Sequence, residues 1–187
     1  MLAMRAMSRL EPPSLRLSPL APEHASALFP LLNDWDVVRM LAQAPWPVTP
    51  EAVAAHAARA REDGAESDDF AIVAEECIIG CGSIKRIGTG NPPRKMPRLG
   101  FWIGREYWNE GYGREAVARL VERAFRESPV ERIGAGVFQD NAASGRVLRK
   151  LGFEEAGRYE TYCLARRTTV LTRDMQLSRT RWQGAET

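Results

Sequence analysis

The sequence predicts a single domain of mixed α/β class, and three observations predict it. The chain has 187 residues, a length that suits one domain. Segments with the alternation of strands are interspersed with segments that have helical periodicity, along the whole length. No internal repeat and no low-complexity linker divides the chain. The sequence therefore indicates one compact unit built from both kinds of element.

Seven segments are predicted to form strands. The first alternates apolar and polar residues, and the fourth is rich in aromatic and β-branched residues. Glu75 and Glu76 separate the second and third segments and predict a hairpin turn between them. The last two segments are predicted to form an antiparallel pair. The seven predicted strands are residues 15–20, 70–74, 78–87, 99–104, 132–138, 160–165 and 169–177.

Five segments are predicted to form helices. Pro22 suits the first turn of the first helix, and Thr49 suits the N-cap of the third. The fourth helix is the most regular, because its six apolar residues share one face. Gly152 ends the fifth helix. The five predicted helices are residues 22–32, 34–41, 50–62, 115–127 and 141–151.

Composition sets limits on partners and location. A formal net charge of +2 is too small to predict binding to nucleic acid or to an anionic membrane. No apolar run approaches the ~20 residues that a membrane span needs. Three sparse cysteines predict a reducing, cytoplasmic location rather than a disulfide framework. Cys77 and Cys81 are four residues apart, but neither His24 nor His56 completes a ligand-like spacing, so no metal site is predicted.

The predicted domain spans residues 15–181. Residues 1–14 carry charges and no sustained apolar stretch, which predicts a flexible leader rather than a signal peptide. Residues 182–187 are predicted to form a short tail. All the predicted strands and helices therefore belong to one domain.

A glycine-containing loop between the fourth strand and the fourth helix predicts an anion site. It comprises Trp108, Asn109, Glu110, Gly111, Tyr112 and Gly113. Backbone N–H groups at a helix N-terminus point at a bound anion, and the helix dipole adds partial positive charge. Glycine lets the backbone approach a phosphate and adopt a positive φ. The loop therefore predicts phosphate binding.

Two nucleotide-binding alternatives fit this loop poorly. A P-loop needs Lys followed by Ser or Thr directly after the second glycine, whereas Arg114 and Glu115 follow here. A dinucleotide site needs an acidic residue at the carboxyl end of the next strand. Glu131 lies twenty residues past Gly111 but precedes that strand. A nicotinamide oxidoreductase is accordingly disfavoured.

Four motifs in order favour coenzyme A. They are LGFWIG at 99–104, YWNEGYGREA at 107–116, NAAS at 141–144 and LGFE at 151–154. Together they closely resemble the GNAT superfamily of N-acetyltransferases, and within it the RimJ/RimL-like ribosomal-protein acetyltransferases. The resemblance covers residues 15–181. It implies a mostly antiparallel sheet of about seven strands, splayed between strands 4 and 5 and flanked by helices.

The resemblance also implies the residues that bind acetyl-CoA. The fourth strand should pair with the pantetheine arm, and a backbone N–H near Ile103 should polarise the acetyl carbonyl. Trp108 occupies a position where Gln or Arg is usual, although Trp is usual in the RimJ/RimL-like branch. The expected cofactor-binding residues are Phe101, Trp102, Ile103, Trp108, Asn109, Glu110, Gly111, Tyr112, Gly113, Arg114, Asn141 and Ser144.

Asn141 and Ser144 are the predicted catalytic residues. They lie three apart at the start of a helix, so their side chains can share a face. Asn141 is suited to capping the helix, to contacting the cofactor, or to both. The resemblance implies that Ser144 protonates the departing thiolate.

The general base stays open. Many relatives carry a carboxylate on the strand before the loop, but the comparable residue here is the cation Arg98. The remaining candidates are Asp34, Asp36, Tyr159, Glu160, Tyr162 and Asp174, with a water chain as an alternative. The resemblance places the acceptor pocket near Trp35, Trp46 and the last hairpin, and it leaves open whether Trp46 lines that pocket.

The sequence thus predicts transfer of an acetyl group from acetyl-CoA to a primary amine, by direct attack in a ternary complex. The acceptor is a small molecule or a protein N-terminus. Cys163 has no nearby histidine in the sequence to activate it, so no acetyl-enzyme is expected. The alternative is a non-catalytic acetyl-CoA-binding sensor or assembly module. Relatives commonly form homodimers, which makes a homodimer one expectation for this chain.

Overall fold

The computed structural model describes residues 14–90 and 94–185, so nearly all of the predicted leader lies outside the described residues. Seven strands form one sheet. They are β1 (Leu15–Pro19), β2 (Ser67–Ala74), β3 (Cys77–Lys85), β4 (Arg98–Ile103), β5 (Arg132–Phe138), β6 (Glu154–Cys163) and β7 (Thr168–Ser178). Within the described ranges, no helix has the length and apolar character to cross a membrane.

Within the part of the chain that the structure describes, six α-helices accompany the sheet. They are α1 (Ala25–Leu32), α2 (Trp35–Val38), α3 (Pro50–Arg59), α4 (Tyr112–Glu127), α5 (Ala142–Lys150) and α6 (Arg179–Ala185). A turn of 3₁₀ helix, Pro22–His24, leads into α1. Thr49 caps α3 as predicted, because its hydroxyl oxygen accepts the N–H of Ala52 at 3.2 Å.

The strand order is β1-β2-β3-β4-β5-β7-β6, and β4–β5 is the parallel pair. All the other neighbours run antiparallel. β4 and β5 pair through only two positions, Arg98 with Gly134 and Leu99 with Ala135. Beyond these positions the two strands separate. The seven-stranded, mostly antiparallel sheet that splays between strands 4 and 5 is therefore confirmed.

Helices cover both faces of the sheet. On one face, α4 buries an apolar stripe that includes Val117 and Leu120 against Ile133 of β5, and Leu148 of α5 joins this cluster. On the other face, α1 and α3 pack against β2 and β3 in a second cluster. Each fully buried aliphatic side chain contributes about 1.5–3 kcal/mol relative to an exposed one. The packing of helices on both faces thus holds the strands in place on either side of the gap between β4 and β5.

The structure changes some predicted boundaries. α4 begins at Tyr112 rather than at residue 115, because the left-handed Gly111 is already its N-cap. β6 begins at Glu154 rather than at residue 160, and its residues as far as Glu160 are exposed on both faces. An edge strand of this kind shows no apolar alternation in the sequence. α6 runs past residue 181, where the predicted domain ends, and Trp182 packs against the apolar core, while the domain boundaries themselves stay a prediction.

Candidate active site

The separation of β4 from β5 opens a cleft of about 1680 Å³. One end of the cleft is lined by the glycine loop and by the start of α5. The other end lies between the sheet and the segment that joins α2 to α3. The cleft therefore has room for two ligands end to end.

The edge of β4 presents unpaired backbone groups to this cleft. The N–H of Gly104 donates to the carbonyl of Ile79 on β3 at 2.8 Å. Hydrogen bonds alternate along an antiparallel strand, so the backbone groups of Phe101 and Ile103 point away from β3, towards β5. The pairing with β5 ends at Leu99. The N–H of Ile103 is therefore available to a ligand.

The glycine loop is held against the end of β4. The indole N–H of Trp108 donates to the carbonyl of Ile103 at 2.8 Å. Asn109 and Gly111 have positive φ values of 66° and 87°, which turn the chain sharply into α4. No side chain caps α4, and the first N–H groups of a helix, including that of Gly113, have no acceptor within it. The loop thus presents backbone donors to an anion.

Most of the predicted cofactor residues line the cleft, and two do not. Glu110 and Tyr112 are outside the lining, and the ring of Tyr112 instead packs edge-on against Tyr107 with centroids 6.3 Å apart. Those that line the cleft are Phe101, Trp102, Ile103, Trp108, Asn109, Gly111, Gly113, Arg114, Asn141 and Ser144. The side chains of Glu110 and Tyr112 thus lie outside the cleft lining, and the contact of all twelve residues with the cofactor stays a prediction.

Asn141 is the N-cap of α5. Its side-chain oxygen accepts the N–H of Ser144 at 3.0 Å, which satisfies one of the unbonded N–H groups of the helix. This leaves the half-buried Ser144 side chain at the wall of the cleft. Asn141 thus positions Ser144 through the backbone.

Arg98 is engaged by two of the candidate proton acceptors. Its Nη1 lies 2.7 Å from Asp174 Oδ1, and its Nη2 donates to the Tyr159 hydroxyl at 3.3 Å. The contact with Asp174 is an ion pair without hydrogen-bond geometry, because the buried Oδ1 has no hydrogen-bond donor among the described residues. Asp174 therefore balances the charge of Arg98 and is poorly placed to take a proton from substrate.

The other four candidates for the general base either cap a helix, form ion pairs or lie outside the cleft lining. Asp34 caps α2 by accepting the N–H of Asp36 at 2.7 Å. Asp36 pairs with Arg39 and with Arg105, each at 3.1 Å. Glu160 and Tyr162 are exposed on the edge strand and do not line the cleft.

Asp69 is a carboxylate that the sequence analysis missed. Three acidic residues of the described chain line the cleft, namely Asp36, Asp69 and Asp140. Asp140 pairs with Arg166 at 2.7 Å, and Asp36 is paired as described. Asp69 accepts a hydrogen bond from the Ser67 hydroxyl at 2.9 Å and has no ion pair within the described residues. Its alternation with Ala71 on β2 was the available signal, but the predicted strand began at residue 70, three residues after the observed start at Ser67, and so left Asp69 out.

Neither cysteine of the interior is a candidate nucleophile. Burial, together with the nearby negative charge of Asp69, raises the pKa of the Cys81 thiol to about 12. Cys163 is buried, and its Sγ donates to the carbonyl of Leu41 at 3.4 Å. A thiol that stays protonated is a weak nucleophile.

The segment between α2 and α3 forms the roof over the far end of the cleft. Ala44 and Pro45 are among its lining residues, whereas Trp46 packs against Trp35 with ring centroids 5.5 Å apart. The turn between β6 and β7 supports the roof, because the N–H of Leu164 donates to the carbonyl of Ala42 at 3.0 Å. Trp46 thus buttresses the roof from outside the cleft.

Arg166 connects this roof to the start of α5. Its Nε donates to the carbonyl of Arg39 at 2.6 Å, and its Nη1 lies 2.7 Å from Asp140 Oδ2. Burial raises the pKa of Asp140, but the hydrogen bond and charge of Arg166 outweigh it and leave that pKa below its ordinary value. Asp140 immediately precedes Asn141. Arg166 therefore ties the backbone at Arg39 to the residue that precedes the N-cap of α5.

We expect Arg166→Met to lower the free energy of unfolding by about 2 kcal/mol, because charge-assisted hydrogen bonds of a mostly buried guanidinium are lost. For a chain of this length the midpoint of thermal unfolding should fall by roughly 4–8 °C. A carboxylate with a lowered pKa stabilises the fold above its unfolded pKa and loses that effect as the pH falls through its folded pKa. The difference between wild type and variant should therefore shrink below about pH 4.

Arg167→Met is the matched control, because Arg167 is the next residue and is exposed. It should leave the unfolding temperature nearly unchanged at every pH. Thermal denaturation followed by circular dichroism from pH 3 to pH 8 measures both variants. Equal stability of the Arg166 and Arg167 variants at neutral pH would contradict the assigned role.

Comparison with known proteins places this architecture in a family. Residues 14–154 match the model of the acetyltransferase (GNAT) domain. YoaA, an uncharacterized N-acetyltransferase of Bacillus subtilis (strain 168), is 37% identical over 68 residues, which are 36% of this chain and 38% of YoaA. The chain thus matches well under half the length of that relative.

Solved structures share the whole fold. A structure from T. thermophilus, assigned as an acetyltransferase, superposes with a TM-score of 0.77 at 26% identity and covers 94% of this chain and 92% of its own. The spermidine N-acetyltransferase from Vibrio cholerae, solved with CoA and spermine, has a TM-score of 0.74 at 16% identity and covers 90% and 98%. The second likeness concerns the fold alone. The match of the family model over most of the chain shows that this protein belongs to the GNAT acetyltransferases, a family of acyltransferase enzymes.

Proposed function

We propose that the protein transfers the acetyl group of acetyl-CoA to a primary amine. The observation that carries this proposal is the free edge of β4, where the N–H of Ile103 faces a cleft beside the uncapped N-terminus of α4. An open strand edge suits the amide-containing pantetheine arm, and an uncapped helix start suits phosphates. The solved spermidine N-acetyltransferase with the same fold contains CoA, which agrees with this use of the cleft.

The residues of the cleft fit acetyl-CoA. Backbone N–H groups at the start of α4 and the cation Arg114 would hold the phosphates, while Phe101 and Ile103 would hold the pantetheine arm. Acetyl-CoA, when bound, supplies the activated acetyl group. The binding donors belong to the backbone, so the exposed Glu110 side chain is free to vary.

Three groups of this chain would perform the chemistry. The N–H of Ile103 would stabilise the negative charge that develops on the acetyl oxygen. Ser144 would donate a proton to the departing sulfur. Asp69 would attract the ammonium form of the acceptor and take its proton through water, since the other two carboxylates that line the cleft in the described residues are held in ion pairs.

Asp69 also favours an enzyme over a non-catalytic acetyl-CoA-binding module. The sequence left that alternative open because Arg98 stands where relatives carry an acid. A carboxylate on the neighbouring strand pair supplies the missing proton acceptor. The RimJ/RimL-like branch, the single domain, the cytoplasmic location and a homodimer stay predictions, as does the choice between a small-molecule amine and a peptide.

Thermal unfolding with acetyl-CoA, CoA and NAD, followed by turnover on a panel of amines, tests the proposal. Either CoA species at 100 times its dissociation constant should stabilise the protein by roughly 2.7 kcal/mol, and NAD should not. Ser144→Ala should keep this stabilisation and lose turnover. Mass spectrometry should find no acetylated cysteine. A response to NAD alone, or a stable acetyl adduct on the protein, would overturn the proposed function.

A further inference from the structure

Two cations of α5 line the end of the cleft that contains the glycine loop. Arg146 and Lys150 are four residues apart on this helix, so their side chains project from the same face. Ala143 and Val147 belong to the same helical stripe and also line the cleft. This face of α5 therefore forms one wall of the cleft.

The same face of α5 lies beside the start of α4. The position that a Cβ on Gly113 would occupy is 3.9 Å from Cγ2 of Val147. Gly113 is in the first turn of α4, where backbone N–H groups have no acceptor within the helix. Arg146 and Lys150 therefore lie on either side of an α5 residue that approaches the proposed phosphate loop.

Neither cation is neutralised by an acid in the part of the chain that the structure describes. The exposed side chains of Arg146 and Lys150 form no ion pair and no hydrogen bond with these residues. Asp140, the acid that lines this end of the cleft, pairs with Arg166 at 2.7 Å. Glu115, near the start of α4, is held at 2.8 Å by an arginine of its own helix. The wall thus carries positive charge that a bound anion would balance.

Coenzyme A brings one phosphate that the glycine loop does not account for. The backbone N–H groups at the start of α4 suit its diphosphate. One ribose away, the molecule carries a phosphate monoester on the 3′ oxygen, with a charge of about −1.5 to −2 near neutral pH. Two long cationic side chains with Cβ atoms about 5–6 Å apart can both reach one phosphate and balance its charge.

The geometry points to a subsite for the ribose 3′-phosphate of coenzyme A, formed by Arg146 and Lys150. This inference rests on the proposed function and specifies which form of the cofactor the cleft selects. Arg146 supplies a planar fork of donors for the phosphate oxygens, and Lys150 supplies a compact charge. A second contact to the diphosphate is the alternative use of the two cations, and it would affect CoA and dephospho-CoA equally.

Calorimetry with CoA and with dephospho-CoA, which lacks only the 3′-phosphate, tests the subsite. We expect the wild type to bind CoA about tenfold more tightly at low ionic strength, and the preference should shrink as salt screens the exposed charges. In the double variant Arg146→Gln/Lys150→Gln the preference should disappear, while the dissociation constant for dephospho-CoA should change by less than about twofold.

Arg149→Gln is the matched control, because it removes an exposed cation of the same helix that does not line the cleft. It should keep the full preference for CoA. Thermal unfolding checks that all the variants are folded, as expected for substitutions of exposed residues. A preference lost in Arg149→Gln as completely as in the double variant would overturn the subsite, because net charge rather than position would then decide it.

The remaining outcomes separate the subsite from the proposed function. Equal affinity of the wild type for the two compounds, or a preference that survives in the double variant, would overturn the subsite and leave the proposed function intact. An equal loss of affinity for both compounds in the double variant would also overturn it, since the two cations would then contact the diphosphate. Absence of binding of either compound to the wild type would instead contradict the proposed function itself.

Discussion

Gly111→Val is expected to abolish binding of CoA. Gly111 has φ +87°, a conformation that a β-branched residue adopts only with strain, and it is the N-cap of α4. Valine would displace the loop whose backbone N–H groups face the cleft. We expect the dissociation constant for CoA to rise by about 100-fold or more, equivalent to roughly 2.7 kcal/mol. Isothermal titration calorimetry measures it, and the thermal stabilisation by CoA should disappear in parallel.

Gly64→Val is the control that distinguishes loss of the CoA site from the strain of placing valine at a positive φ. Gly64 has φ +81° in the turn after α3, and a Cβ there would meet no atom within 4 Å. Its substitution should lower the unfolding temperature by a comparable amount and leave the stabilisation by CoA intact. If Gly111→Val bound CoA as tightly as Gly64→Val, the glycine loop would not be the phosphate site.

Asp69→Asn should reduce kcat/KM for the acceptor by about 100-fold, the lower end of the usual contribution of a positioned proton acceptor. Asparagine has nearly the same shape and can still accept the hydrogen bond from Ser67, but it cannot take a proton. Affinity for CoA should not change, because Asp69 lies on β2 and away from the glycine loop. Steady-state kinetics with the best acceptor, together with calorimetry for CoA, measure the two effects.

Asp68→Asn is the matched control. Successive residues of a strand face opposite sides, so Asp68 points away from the cleft, where it pairs with Arg86 at 2.5 Å. Surface ion pairs contribute about 0–1 kcal/mol, so this variant should keep wild-type kinetics. Activity of Asp69→Asn equal to that of Asp68→Asn would remove Asp69 from the proposed mechanism and return attention to Tyr159, which also lines the cleft.

The sequence by itself determined the fold class, the glycine loop and most helix and strand positions. These depend on local chemistry: apolar periodicity along α4, the hydroxyl of Thr49 at a helix start, and the two glycines that turn the chain after β4. β6 was predicted only in part, because its exposed edge residues carry no alternation. Local patterns specify an element only where one of its faces is buried.

Only the tertiary structure shows which charged side chains of the cleft are held in ion pairs. Whether a charged side chain is available depends on partners that lie far away along the chain, as Asp174 lies far from Arg98 and Arg166 lies far from Asp140. Periodicity carries no information about such partners. Asp174 was therefore a candidate base in the sequence and an ion-pair partner in the fold, whereas Asp69 became a candidate because the fold brings it to the cleft without an ion pair within the described residues.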